Sequence, residues 1–201
     1  MTVTLIFQLI VLIFSVMIHE IAHGTMALKL GDNTAQKLGR LTLNPLKHID
    51  PVGSIILPLI LVFLNSPFLI GWAKPVPYDP RFLKNPKGGA ALIALAGPIS
   101  NLLIATIFGL LIRLSFFPIE FTLLLAIIVY TNLLLAIFNL VPIPPLDGSK
   151  LLYYFIPDRN YRLQILLEQY GPLFLLLFIV AGFNFLIPII SFLFTLIVGR
   201  F

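Results

Sequence analysis

Long apolar runs with almost no charged residues are the feature that most limits how this chain can fold. Six occur within the 201 residues, at positions 3–30, 51–70, 90–114, 121–141, 163–181 and 185–198. A run of about 20 apolar residues is long enough to cross the hydrocarbon core of a bilayer as a helix. Only 10% of the residues are charged, against about 25% in a soluble domain, so we predict an all-α, polytopic integral membrane protein.

These runs leave no room for a separate soluble module, so residues 1–201 are predicted to form a single domain. Its core is expected to span residues 3–156, followed by C-terminal helices within residues 163–198. The first run lacks the basic region of a signal peptide, and we expect it to be retained. Because the chain contains no cysteine, disulfides and thiolate metal sites are excluded.

The basic residues lie in short segments beside the apolar runs. Although the net charge is +5, this placement follows the positive-inside rule and favours a lipid bilayer, not nucleic acid, as the partner. If residues 51 to about 73 form a re-entrant hairpin, twelve of the thirteen Lys and Arg residues are cytoplasmic and only Arg113 is outside. A full crossing by this segment would instead separate Asp147 from His19 and His23. We therefore predict about five transmembrane helices plus a re-entrant hairpin.

The first apolar run carries a His-Glu-x-x-His motif at residues 19–23. On a helix, His19 and His23 lie about 40° apart on one face, with Glu20 about 100° from His19. Ionisable groups are costly at membrane depth and indicate a functional site by default. The two imidazoles supply part of a zinc site, and a catalytic zinc normally takes a third protein ligand.

That third ligand must come from another part of the chain. Asp50 adjoins the predicted hairpin, whereas Asp147 follows a run of prolines that interrupts regular helix and frees the backbone to turn the carboxylate inward. Asp147 is the favoured ligand, although spacing alone fits a turn aspartate before Gly148 equally well. His48 could also reach a metal, but its loop position favours a solvated or regulatory role.

Glu20 has a role of its own in this interpretation. A carboxylate beside a zinc-activated water takes up its proton and passes it to a leaving amine, which is peptide-bond hydrolysis. The alternative, two hydrogen-bonded core histidines, is less consistent with an apolar helix. Taken alone, Asn101, Asn132 and Asn139 predict interhelical hydrogen bonds, and the sequence AGPISN predicts close packing and a helix start.

Five ordered motifs resemble those of the site-2 protease family of intramembrane zinc metalloproteases. They are HEIAHG, NPLKHIDPVGS, GWAKPVPYDP, AGPISN and NLVPIPPLDG, and they cover most of the chain from about residue 14 to residue 150. The resemblance implies that His19, His23 and Asp147 are zinc ligands and that Glu20 is the catalytic base.

The resemblance also implies that Asn139 and Asn101 lie near the zinc and bind substrate. The expected activity is hydrolysis of a peptide bond within or next to a transmembrane segment of another membrane protein, as in regulated intramembrane proteolysis. The expected cofactor is Zn²⁺, and the expected location is the cell membrane of a prokaryote. We further expect residues 51–78 to pair with a locally unwound substrate by strand addition.

Two functions from other classes stay open at this point. A zinc transporter would also bury His and Asp side chains, but it needs polar sites that are reached alternately from both sides of the membrane. A zinc-stabilised scaffold would keep His19, His23 and Asp147 but has no need for Glu20.

Overall fold

A computed structural model of the chain describes residues 2–48, 50–56, 59–60, 63, 74–114 and 116–199. Seven α-helices occur there: α1 (Thr2–Lys29), α2 (Thr34–Lys37), α3 (Pro86–Arg113), α4 (Ile119–Asn139), α5 (Gly148–Phe155), α6 (Tyr161–Leu177) and α7 (Leu186–Val198). These residues contain no strand. Within this described part, four stretches are long and apolar enough to cross a membrane: Val3–Lys29, Pro86–Arg113, Ile119–Asn139 and Asp158–Val198. The prediction of an all-α, polytopic membrane protein is confirmed.

Local signals explain where the long helices begin and end. The side chain of Asn85 accepts a hydrogen bond from the Gly88 N–H at 2.9 Å, and Pro86 occupies the first turn of α3. Gly31, just after α1, has a φ of 107°, a left-handed conformation that favours glycine. Pro98 lies inside α3, so the helix start predicted at AGPISN is wrong. The helix continues through the missing N–H, and residues on both sides of Pro98 are buried, among them Ala94 and Asn101.

The core of the bundle lies where α3, α4 and α7 meet. Ala105 of α3, Val129 and Leu133 of α4 and Ile190 of α7 are all fully buried in one cluster. A Cβ added to Gly109 would lie only 2.3 Å from Ile197, so this glycine lets α7 approach α3 closely. The other side of α3 packs against α1, and the candidate site lies between those two helices.

The C-terminal region differs from the two crossings predicted at residues 163–181 and 185–198. α6 continues into α7 through a π-helical turn, Phe178–Gly182, and a 3₁₀ turn, Phe183–Phe185, without reversing direction. Phe183 stacks on Phe138 near the end of α4, with ring centroids 6.3 Å apart. The part of this run from about residue 178 packs against the core of the bundle, and the described residues contain four stretches that could cross a membrane, where the sequence predicted about five helices.

The end of α7 lies at the opposite end of the bundle from the candidate site. A Cβ added to Gly199 would be 3.6 Å from Arg113 Nε. The predicted count of twelve cytoplasmic basic residues included Arg200, which itself lies outside the described residues but directly follows Gly199. The side of the membrane on which Arg200 lies stays a prediction.

The predicted hairpin lies largely outside the described residues, which leave out 57–58, 61–62 and 64–73, including Trp72. Pro51–Ile56 forms a π-helical turn. The Lys74 N–H donates to the His48 carbonyl at 2.9 Å, so the two ends of the segment meet. This contact is what a segment returning to its starting side requires, and the re-entrant path between the two ends stays a prediction.

Candidate metal centre

α1 and the segment before α5 bring three of the predicted ligands together. His19 and His23 are 6% and 9% exposed, and their rings meet edge to face with centroids 4.5 Å apart. Asp147 Oδ2 lies 3.0 Å from His19 Nε2 and 3.3 Å from His23 Nε2. One nitrogen or oxygen from each side chain falls within 4.8 Å of the others, a spacing that could hold a metal ion.

The prolines between α4 and α5 place Asp147 by ending one helix and turning the chain into the next. Gly148 follows directly, and a Cβ there would lie 2.2 Å from the Leu140 carbonyl oxygen. Only glycine fits so close to that oxygen. The turn is therefore compact, and it points the carboxylate of Asp147 back towards α1.

The hydrogen bonds of the two imidazoles define which nitrogen of each ring carries the proton. His19 Nδ1 lies 2.6 Å from Asn101 Oδ1, and His23 Nδ1 lies 2.6 Å from the Ile93 carbonyl oxygen. Both partners are acceptors, so each Nδ1 carries the hydrogen and each neutral ring presents its Nε2 lone pair to Asp147.

Three electron-rich atoms thus converge, and Asp147 Oδ2 is buried without a hydrogen-bond donor. Two lone pairs and a carboxylate oxygen repel one another unless a cation lies between them. Imidazole nitrogen and carboxylate oxygen are ligands that zinc accepts, and His rings held through Nδ1 are typical of zinc sites. The residues present therefore fit a zinc ion.

Asn101 holds His19 and does not reach the substrate side. It is fully buried, and its Nδ2 donates to Asn132 Oδ1 at 2.9 Å while its Oδ1 faces His19. Asn132 in turn donates to Ser15 Oγ at 2.9 Å. Its amide thus bonds to groups inside the bundle, and the substrate-binding role expected of Asn101 stays a prediction. The interhelical hydrogen bonds predicted for Asn101 and Asn132 are present.

Gly97 of α3 lies directly against both histidines. A Cβ at this position would be 2.5 Å from His19 Nε2 and 2.6 Å from His23 Cε1. The close packing predicted at AGPISN is therefore present, and it is packing against the candidate ligands themselves. The absence of a side chain at Gly97 leaves the space that the two rings occupy.

A cavity of about 230 Å³ opens beside these side chains. Glu20, Asn139, Tyr78 and Lys150 line it together with the three candidate ligands. Asn139 Nδ2 donates to the Leu135 carbonyl one turn back, which leaves a second N–H of the same amide for another acceptor. Burial, with the nearby carboxylates of Asp147 and Glu168, raises the pKa of Tyr78, so its hydroxyl stays protonated at neutral pH.

Glu20 is held by the backbone of the segment that leads to α3. The Val76 N–H donates to Glu20 Oε2 at 2.8 Å. Pro75 and Pro77 have no N–H, and the Lys74 N–H is bonded to His48. Residues 74–78 thus have few N–H groups, and those of Lys74 and Val76 bond within the protein. Few donors are left to pair with a substrate strand, which weakens the strand-addition prediction for these residues.

His48 and Asp50 do not join the three ligands among the residues that the structure describes. Of the two roles predicted for His48, solvation is wrong, because His48 is 4% exposed and its Nε2 lies 2.9 Å from the Thr42 carbonyl oxygen. The regulatory role stays a prediction. A larger groove of about 690 Å³ lies between the ends of α1, α3 and α5, but its lining contains no His, Asp or Glu.

Sequence reasoning missed the contributions of Val76, Tyr78 and Gly97. Val76 acts through its peptide N–H, which no side-chain pattern reveals. Tyr78 lines the cavity, but a tyrosine beside an apolar run is equally typical of an aromatic anchor at the membrane interface. The one available signal was the motif GWAKPVPYDP itself, whose density of prolines indicates a fixed, extended backbone.

Comparison with known proteins decides the family. A model of peptidase family M50 matches residues 116–179. YwhC of Bacillus subtilis (strain 168), provisionally named as a zinc metalloprotease, is 40% identical over 183 residues, which cover 86% of this chain and 80% of YwhC. This chain belongs to peptidase family M50. The resemblance to site-2 proteases is thereby confirmed: the protein is a membrane metalloprotease, and the cofactor of its family is zinc.

Rip2 of Mycobacterium tuberculosis (strain H37Rv), also provisionally named as a zinc metalloprotease, is 31% identical over 169 residues. The match covers 83% of this M50 chain but 64% of Rip2, just under two thirds of that relative. MJ0611 of Methanocaldococcus jannaschii is 46% identical over 61 residues, 30% of this chain and 31% of MJ0611. No solved structure matches the chain.

Proposed function

We propose that this M50 protein is an intramembrane protease that hydrolyses a peptide bond within or next to a transmembrane segment of another membrane protein. The observation that carries the proposal is the convergence of His19, His23 and Asp147 on a cavity beside Glu20, inside a bundle of membrane-spanning helices. His19 lies ten residues before the end of α1, about 15 Å along the helix axis. A centre at that depth is suited to a chain that lies in or beside the bilayer.

His19, His23 and Asp147 are the metal ligands in this proposal. Zinc, when bound there, polarises the scissile carbonyl and makes water nucleophilic near neutral pH. Asn101 and the Ile93 carbonyl hold the two imidazoles through Nδ1, so that both Nε2 atoms face the ion. Asp147 supplies the negative charge that offsets the cation in a medium of low dielectric constant.

Glu20 is the catalytic base. It takes a proton from the attacking water as the water oxygen bonds to the carbonyl carbon, and it delivers that proton to the amide nitrogen as the C–N bond breaks. Asn139 lines the same cavity, and its remaining N–H is available to hold the substrate strand or the developing oxyanion.

The proposal includes a single membrane-embedded domain over residues 1–201, located in the cell membrane of a prokaryote, since YwhC and Rip2 come from bacteria. A transporter or a scaffold would bind the same metal but would not require a carboxylate held beside the cavity. Metal flux into liposomes that continues in Glu20→Gln would support the transporter. Biological function that survives Glu20→Gln would support the scaffold.

The position of the cleaved bond tests the proposal. Purified protein is reconstituted in liposomes with a panel of tagged single-pass membrane proteins, and the new termini are mapped by mass spectrometry. We expect cleavage within the transmembrane segment or in the residues next to it, favoured by Gly or Pro nearby because these residues ease local unwinding. Cleavage confined to soluble loops or to soluble peptides would contradict the proposal.

A further inference from the structure

Residues 74–79 form an extended segment that crosses α1 at Glu20, and buried groups hold it at both ends. At its beginning, Arg40 Nη2 donates to the carbonyls of Lys74 and Pro75, at 3.1 Å each, and Nη1 donates to the Lys47 carbonyl. Arg40 is buried, with only 8% of its surface exposed. A buried guanidinium is costly unless its N–H groups are hydrogen-bonded, and these carbonyls accept from three of its five.

Asp32 holds the other end of the segment. It is fully buried, and its Oδ2 accepts the Asp79 N–H at 2.7 Å while its Oδ1 accepts the Thr34 N–H at 2.9 Å. Asp32 lies three residues after the end of α1, and Thr34 begins α2. The carboxylate therefore fixes residue 79 against the same helix that carries Glu20.

Between these two ends, Val76 lies directly on α1. Val76 is 7% exposed, and a Cβ added to Gly24 would be 2.7 Å from its Cγ1. Gly24 thus leaves the space into which Val76 packs. The Val76 N–H also donates to Glu20 Oε2 at 2.8 Å. The packing of Val76 on α1 and this hydrogen bond therefore hold Val76 in the same position.

We propose that Arg40 and Asp32 are positioning residues, which hold residues 74–79 so that the Val76 N–H fixes Glu20 Oε2 and leaves Oε1 directed at the cavity. A carboxylate that rotates freely about its last torsion angle divides its time between many directions, whereas one bonded through a single oxygen does not. Misplacement of a catalytic group by about 1 Å can lower a rate about 100-fold. The catalytic part of this inference rests on the function proposed above, whereas the structural part does not.

Hydrogen exchange of the purified full-length protein tests the structural part without any substrate. A peptide covering residues 74–79 contains only four peptide N–H groups, those of Lys74, Val76, Tyr78 and Asp79, because Pro75 and Pro77 have none. We expect the Val76 N–H to exchange at least about tenfold faster in Arg40→Met and in Glu20→Ala. Lys37→Met, which removes an exposed charge three residues away, is the control and should leave this rate unchanged. An unchanged Val76 rate in Arg40→Met would overturn the proposal.

Replacement of single peptide bonds by esters tests the catalytic part. An ester at residue 76 removes the N–H that Glu20 accepts and also makes the Pro75 carbonyl a weaker acceptor for Arg40. An ester at residue 78 is the control, since the Tyr78 N–H has no partner among the described residues. The ester at 76 should lower kcat about 10- to 100-fold with KM and bound zinc unchanged, and the ester at 78 should not.

Combination of the two changes separates positioning from a general structural role. If Arg40 acts through Val76, Arg40→Met should lower kcat little further in the protein that already carries the ester at 76. Arg40→Lys, which keeps the charge and some of the hydrogen bonds, should retain an intermediate kcat. Losses that multiply in the combination would overturn the proposal. A wild-type protein that cleaves nothing would contradict the proposed function. The hydrogen-exchange rate of Val76 in Arg40→Met would then decide whether Arg40 holds the segment in place.

Discussion

Gly97 is the single residue at which the smallest change should harm the metal centre most. The added methyl group of Gly97→Ala would lie within 2.6 Å of both imidazoles, so at least one ring must move. We expect zinc affinity to fall about 10- to 100-fold while the helix content is kept, as measured by zinc analysis and circular dichroism. Thr106→Ala, further along the same helix, is the matched control, since the Thr106 hydroxyl donates to the Leu102 carbonyl. Normal zinc binding by Gly97→Ala would show that the rings do not occupy this space.

Asn101 and Asn139 should give opposite results when changed. Asn101→Leu removes the acceptor that orients His19, so we expect zinc affinity to fall about 10- to 100-fold. Asn139→Ala leaves the ligands untouched and should reduce kcat/KM with zinc affinity unchanged. Zinc titration with a chelator and steady-state cleavage assays distinguish the two. A loss of zinc in Asn139→Ala would contradict the separation of roles.

Asp32 should make stability depend on pH in the acid range. Burial would raise the pKa of Asp32, but hydrogen bonds from Thr34 and from the Asp79 N–H outweigh it and the repulsion of the Asp79 carboxylate, and hold that pKa below its ordinary value of about 3.9. The folded state thus favours the ionised form. Its contribution to stability is complete above about pH 4 and is lost as pH falls through the lowered pKa.

The comparison of wild type with Asp32→Asn isolates this contribution, since both proteins carry the same candidate zinc ligands and any loss of zinc in acid should affect both. The difference in Tm between them should be largest near pH 6 and should shrink below about pH 4. A difference in Tm that stays constant down to pH 3 would show that the Asp32 carboxylate has an ordinary pKa in the folded protein.

At the residue scale, the sequence predicts side chains whose chemistry is rare in an apolar run. His19, Glu20, His23 and Asp147 stand out because isolated polar groups are costly in lipid. Gly97 and the Val76 N–H do not stand out, because one acts through a missing side chain and the other through the backbone. Asn101 has the residue type of a substrate ligand, and only its neighbours Asn132 and Ser15 show that its amide is used within the bundle.

The helices α6 and α7 are where the predicted elements and the structure disagree. Gly182 and Asn184 resemble a turn between two apolar runs, yet Gly182 has a φ of −100° and the chain continues in one direction. Packing decides the matter, because Ile190 of α7 is fully buried against α3 and α4 while most of α6 is exposed. A hydropathy pattern contains no information about such contacts. It does predict the ends of α1, α3 and α4 to within a few residues of where the structure has them.

Cysteine labelling tests the direction of α7, since the natural chain has no cysteine. Single cysteines replace Arg159 before α6 and Phe116 after α3, and a third is appended after the C-terminal Phe201. If the chain crosses four times, a membrane-impermeant maleimide should label the appended cysteine and the Phe116→Cys variant from the same side of the membrane. It should label Arg159→Cys from the opposite side. Labelling of the appended cysteine together with position 159 would restore the five-helix arrangement.

For the whole molecule, the distribution of charge predicted the arrangement that matters most for the site. The basic residues required a return of the segment after His48, and that return places the end of α4, with Asp147, at the same end of the bundle as His19 and His23. The contact between His48 and Lys74 is consistent with this arrangement. Charge could not predict the number of crossings after α5, because the basic residue that follows α7 is compatible with either side.

Bound zinc and cleavage of a reconstituted single-pass substrate, both measured in wild type and in Glu20→Gln, decide whether Glu20 acts as a base. Glu20 lines the cavity without belonging to the three ligands, so we expect one equivalent of zinc in both proteins and cleavage by wild type alone. Cleavage by Glu20→Gln at the wild-type rate, or loss of its zinc, would contradict the assignment of Glu20 as a base that does not bind the metal.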